Sequence, residues 1–179
     1  MTLGSDPLEN QLLAALPEAE WLRWQPRLEP VDMPLGQVLY ESGSKMAYVY
    51  FPTTAIVSLL YVLEDGASAE IAIVGHEGIV GVSLFMGGES TPSRALVQSA
   101  GKGFRLKADL MLQEFNRTGP ALHLLLRYTQ ALITQNGFRQ MFSMDASANE
   151  LMHELAKFLG FRHVRDPQDS AQVIHTLDL

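Results

Sequence analysis

Residues 50–100 read YFPTTAIVSLLYVLEDGASAEIAIVGHEGIVGVSLFMGGESTPSRALVQSA. Short apolar runs, many of them alternating with polar residues, are broken by Asp65-Gly66, Gly75, Gly78, Gly81, Gly87-Gly88 and Pro92. Alternation with period two puts one side of an extended chain on a core, and Asp-Gly between two such runs is a tight-turn signal. The punctuation therefore predicts a small antiparallel barrel or roll with one glycine-rich excursion before Arg94. A loop of that kind, ending in a lone arginine, is a place to hold an anionic ligand.

On the N-terminal side, Gly36 and Gly43 bracket QVLYES as a short strand. Further strands are expected at 48–51, 56–63, 69–74, 93–99 and 103–106. Ahead of the roll, Asp6 and Pro7 suit the N-cap and first turn of a helix over 7–16, with Leu8, Leu12, Leu13 and Leu16 on one face. A second short helix over 18–24 sets Trp21 and Trp24 three residues apart, as plugs between helix and roll. Ser83, Ser90 and Ser93 lie near the glycine-rich loop in no nucleophile-elbow context and read as turn residues.

On the C-terminal side, a short helix is expected over 108–116. Gly119-Pro120 then opens a long helix to residue 135. Within it Ala121, Leu125, Tyr128, Leu132 and Gln135 step by four, three, four and three. That spacing makes a narrow seam suited to a second helix, and it predicts a homodimer. Leu122, Leu124, Leu126 and Ile133 widen the apolar arc, so packing on the chain's own roll remains the alternative.

After Gln135 the character changes to strand, helix, strand, strand. Residues 138–144 form a strand candidate after the Asn136-Gly137 turn. Ser147 and Glu150 have capping-box spacing for a helix over 148–159, and Gly160 stops it. Residues 166–169, DPQD, make a turn between two closing strands.

The chain has 179 residues, 47% of them hydrophobic and 18% charged, which suits a folded domain with a small appendage rather than a disordered segment. It has no cysteine, so disulfides and thiolate metal sites are excluded. Its five histidines show no close metal-ligand spacing, and no metal, cofactor or catalytic residue is expected. The N-terminus lacks a basic region followed by an apolar core, and no apolar run approaches a membrane span, so a cytoplasmic location is expected. Net charge is −7; residues 1–135 carry 9 Lys/Arg against 14 Asp/Glu, and residues 136–179 carry 4 against 6. Neither part has the basic excess with which a nucleic-acid binder neutralises phosphates.

Four phrases, MPLGQVLYESG (33–43), VYFPTTAIVSL (49–59), EIAIVGHEGIVG (70–81) and SRALVQSAG (93–101), resemble the sensor domain of Crp/Fnr-type transcription regulators. The resemblance spans residues 8–135. It implies a mainly β fold with flanking helices, a cyclic-nucleotide-binding-like β-roll of jelly-roll type, a pocket behind the glycine-rich loop and a long helix that pairs two subunits. In nucleotide-binding members a Gly-Glu pair precedes an Arg-Ser or Arg-Ala pair; the glutamate accepts from the ribose hydroxyl and the arginine forks onto the cyclic phosphate. Here Arg94-Ala95 matches the second pair. Gly81 aligns with the glycine, but Val82 stands where the glutamate belongs, and Glu77 lies four residues too early. The candidate ligand residues are thus Gly81, Val82, Ser83, Arg94 and Ala95, for an unidentified small ligand and not for cyclic AMP held in the usual way.

A full regulator of this type continues into a winged helix-turn-helix. The helix expected over 148–159 carries Glu150 and Glu154 with only Lys157, the wrong sign for a recognition helix. Instead ANELMHELAKFLGF (148–161) and RDPQDSAQVIHTLDL (165–179) resemble the last segment of a GNAT-type acetyltransferase. That family's pyrophosphate-holding turn finds no counterpart in register here. The expected organisation is a sensor domain over 1–135 and a small β-α-β-β tail over 136–179. The expected function is a regulatory module without a DNA-reading domain. A degenerate acetyltransferase with a regulatory roll, and a DNA-binding regulator, are the alternatives.

Overall fold

Two antiparallel sheets build the roll. A computed structural model describes residues 6–62, 68–85, 91, 93–117, 119–135, 140–146, 162–165 and 172–178. The strands are β1 (Glu29–Met33), β2 (Val38–Tyr40), β3 (Tyr48–Pro52), β4 (Ile56–Val62), β5 (Ser68–Val74), β6 (Ser93–Ser99) and β7 (Gly101–Lys107). One sheet has the order β1-β7-β3 and the other β2-β6-β4-β5. The mainly β architecture expected from the glycine punctuation is therefore present. The alternating apolar residues supply its centre: Val49, Phe51, Val57, Val74, Val97 and Leu106 are each at most 1% exposed.

Pro30 fits because β1 is an edge strand, where a missing N–H costs no ladder bond on the open side. The ladders of β4 shift register between Ile56 and Val57 and between Leu59 and Leu60.

The N-terminal segment departs from the expected single helix over 7–16. A 3-10 turn at Pro7–Glu9 gives way to α1 (Gln11–Ala14), with Asn10 extended between them. The cause is Asn10 itself. Its Oδ1 accepts from the backbone N–H of Leu12 and Leu13, and its Nδ2 donates to the carbonyls of Pro52 and Gly78, both at 2.8 Å. Four bonds from one fully buried side chain outweigh the continuation of a helical turn. Asp6 still caps the first turn, accepting from Leu8 N–H.

α2 (Glu18–Trp24) follows. Trp24 is buried with its ring 6.2 Å from that of Phe51, the plug the sequence suggested, whereas Trp21 is half-buried. After the roll come α3 (Ala108–Phe115) and α4 (Pro120–Gln135).

The chain divides into two compact units, Met1–Leu124 and Leu125–Leu179. The division falls inside α4, whereas the sequence placed it after residue 135. In the second unit β8 (Gln140–Ala146), β9 (Arg162–Arg165) and β10 (Gln172–Asp178) form an antiparallel sheet of order β8-β10-β9. The helix expected over 148–159 and the turns at 65–66, 136–137 and 166–169 lie outside the described residues. No described helix is long and apolar enough to cross a membrane.

Candidate ligand-binding site

The residues singled out for a ligand lie on β6 and on the turn after β5. β6 is the second strand of the four-stranded sheet, between β2 and β4. Along it Ser93, Ala95 and Val97 are buried while Arg94 and Leu96 are half-buried. Successive side chains of a strand point to opposite faces. Arg94 therefore stands on the outer face, in register with Leu60, and Ala95 on the inner face, in register with Leu59 and Tyr40. The two members of the Arg94-Ala95 pair face opposite sides of the sheet.

On the outer face Arg94 meets Glu41, in the turn after β2. Its Nε lies 3.1 Å from Glu41 Oε2 but makes no aligned hydrogen bond. The side chains are 38% and 58% exposed, so solvent screens most of the attraction.

On the inner face the polar groups are hydroxyls. Thr91 Oγ1 and Ser93 Oγ share a 2.8 Å hydrogen bond, and Thr91 Oγ1 also accepts from Ser93 N–H. Burial pushes the Tyr40 phenol up to about 12, against the pull of a hydrogen bond with Ser93. Ser93 is thus no turn residue, as its sequence context suggested. It opens β6 with its hydroxyl buried among its own partners. Ser90 lies outside the described residues.

Gly81, Val82 and Ser83 come from the turn that leaves β5. Gly81 has φ +113°, a conformation open to glycine, and a Cβ there would come within 3.0 Å of Val49 Cγ1. Close approach to β3 thus requires this glycine. A 3-10 turn over Val82–Phe85 follows, with Leu84 N–H donating to the Gly81 carbonyl. Val82 and Ser83 are half-buried, and Ser83 Oγ lies 3.9 Å from Met46 Sδ. The nearby carboxylate of Glu77 is turned back on its own loop, where Oε1 accepts from Gly75 N–H at 2.8 Å. Among the described residues no hydrogen bond or ion pair joins Arg94 to the Gly81–Ser83 turn.

Of the seam residues on α4, Ala121 and Leu125 are 2% and 1% exposed in the single chain, and Tyr128 is half-buried. Leu122, Leu126 and Thr129 are buried beside them, so the covered stripe is broader than the seam and shifted from it. The side chain of Leu132 lies outside the described residues. No group of three or more metal-ligating side chains occurs among the described residues.

No family model matches the chain. Over 55 residues it is 51% identical to an acetyltransferase of Pseudomonas aeruginosa, covering 31% of this chain and 30% of that protein. The chain thus spans less than a third of this curated relative, and the match agrees with the resemblance of the tail.

Solved structures resemble the larger part. The N-terminal domain of a transcriptional regulator from Streptomyces coelicolor A3(2) matches with a TM-score of 0.52 at 23% identity, over 73% of this chain and 92% of that one. The sensor domain of the transcriptional regulator DNR from Pseudomonas aeruginosa gives 0.57 at 15% identity, over 72% and 90%. A cyclic nucleotide-binding domain from Methylobacillus flagellatus KT gives 0.56 at 15%, over 70% and 74%. The chain has the β-roll fold of such sensor and cyclic nucleotide-binding domains.

Proposed function

We propose that this chain is a regulatory sensor module of the Crp/Fnr kind that does not hold cyclic AMP in the usual way, performs no catalysis and does not itself read DNA. The observation that carries the reading is the parity of β6. It places Arg94 on the outer face beside Glu41, and the inner positions flanking it belong to Ser93 and Ala95. Val82 in the place of the ribose-accepting carboxylate supports the same conclusion. A cyclic phosphate on the inner face would find hydroxyls already bonded to one another and no cation from β6. Calorimetric titration with cyclic AMP is the test: no saturable heat is expected, and micromolar saturation abolished by Arg94→Ala would refute the reading.

The overall charge of −7 supports the absence of DNA binding by this chain alone. A salt-sensitive gel shift on promoter DNA would contradict it. The output is a protein contact, which we place on α4 as a homodimer seam. Because Leu125 is buried in one chain, Tyr128 is the position to test. Tyr128→Glu should lower the mass seen by light scattering without unfolding the roll, and an unchanged mass rejects the seam.

The acetyltransferase match favours a second reading, a degenerate acetyltransferase whose roll is regulatory. Saturable micromolar heat with acetyl-CoA would select it.

A further inference from the structure

Among the described residues a buried charge cluster lies away from the candidate site, where α2, α3 and the start of α4 meet. Glu114 is 4% exposed and Glu20 is 7% exposed. Both carboxylates converge on Arg23, whose Nη2 lies 3.2 Å from Glu114 Oε2 and pairs with Glu20 Oε2 one helical turn away. Arg23 Nη1 is spent on the Ala19 carbonyl, and Arg27 Nη1 lies 3.8 Å from Glu114 Oε1. The other oxygen of Glu20 faces Gly119, where a Cβ would sit 3.2 Å from Oε1.

Gly119 is the residue before α4, and its carbonyl accepts from Leu122 N–H in the first turn. Pro120 has no N–H to offer. The Glu20 carboxylate is thus held on one side by Arg23 and abuts the first turn of α4 on the other. A carboxylate is favoured near a helix N-terminus, where the helix dipole is positive. Burying charges costs desolvation that apolar residues of the same size avoid, so the cluster is a poor device for stability alone.

We propose that Glu20, Arg23 and Glu114 form a latch that couples α2 and α3 to the first turn of α4. Through it a displacement of either leading element reaches residues 119–124. The latch does not depend on what the roll binds. Gly119 is a positioning residue in it, because only a residue without Cβ lets α4 start against an undisplaced Glu20.

Hydrogen exchange on the full chain, read by mass spectrometry, tests the latch. In Gly119→Ala, the hydrogen-bonded amides within 119–124, from Leu122 on, should exchange about tenfold faster relative to those of β4 and β6, since the opening is local. Glu20→Ala should do the same by removing the carboxylate. Most of the Gly119→Ala effect should then vanish in the Glu20→Ala background, the signature of coupled sites. Uniform acceleration over the roll and α4, no acceleration at 119–124, or two effects that simply add would each overturn the latch. If Glu20→Ala does not fold, Glu20→Gln replaces it. It removes the charge at constant size and should accelerate 119–124 on its own, and unchanged exchange there counts against the latch.

Discussion

Two regions of this protein each set an arginine against a carboxylate, with opposite consequences. On the outer face of the four-stranded sheet, Arg94 and Glu41 are 38% and 58% exposed. At the junction of α2 and α3, Arg23 is 32% exposed while Glu114, its partner, is 4% exposed. In the first pair Arg94 Nε is covered, but both side chains reach water, which can solvate much of either charge alone. The second contains a carboxylate that has lost its water and depends on its partner. The arginine that stands in a recognisable motif is the one the fold can spare, and the one at the helix junction belongs to no motif. Burial of the acceptor, more than the presence of the cation, decides what such a pair is worth.

The widest test of that contrast is Arg23→Met. It leaves Glu20 buried without its cation and Glu114 with only Arg27 at 3.8 Å, and should cost about 3 kcal/mol in urea unfolding, reduced from a fully buried pair because Arg23 is partly solvated. A cost below about 1 kcal/mol would place the junction with the exposed pair. Next comes a buried neutral group. Asn10→Ala should cost about 2 kcal/mol, as a lost cap plus two carbonyls left without a donor. The far-UV helical signal should fall together with the unfolding midpoint.

Tyr40→Phe is smaller at neutral pH, about 1 kcal/mol for one hydrogen bond. It has a pH signature of its own. Burial raises the phenol from 10.0 to about 12, so the neutral form is favoured in the folded state. The stabilisation from keeping Tyr40 neutral is therefore complete below the unfolded value of 10.0 and is lost as pH rises through about 12. The loss amounts to roughly 3 kcal/mol. Stability of the wild type should fall relative to Tyr40→Phe between those pH values, and parallel curves would show that the phenol is not buried in solution. The smallest effect is expected for Arg94→Ala, under about 0.5 kcal/mol, with Glu41→Ala matching it.

Much of the roll was legible in the sequence because two independent signals coincide in it. Glycines or Asp-Gly end the strands where the alternation of apolar residues also stops, so 56–63, 69–74 and 93–99 were placed within a residue or two of β4, β5 and β6. The orientation of Arg94 was also written there. Ser93, Ala95 and Val97 form one parity and Arg94 and Leu96 the other, so small and apolar residues mark the inner face.

What escaped the sequence depends on contacts across long separations. Arg23 and Glu114 are 91 residues apart, and no local pattern announces them. The leucines at 8, 12, 13 and 16 have good helical spacing, and the distant carbonyls of Pro52 and Gly78 help make Asn10 a break, together with its caps on Leu12 and Leu13. On α4 the sequence shows a wide apolar arc and leaves open which part of it the chain covers, so the seam of Ala121 and Leu125 emerged already buried.

The bonds of Asn10 also have a consequence in time. They join residue 10 to Pro52 and to Gly78, over 42 and 68 positions of chain. Contacts of such separation form late, because the intervening loop must be ordered before they return any stabilisation. On a growing chain, the first leucines leave the ribosome well before residue 78 exists to receive them. They remain exposed through that interval, and the amino-terminal helix is expected to dock as a closing step rather than a nucleus.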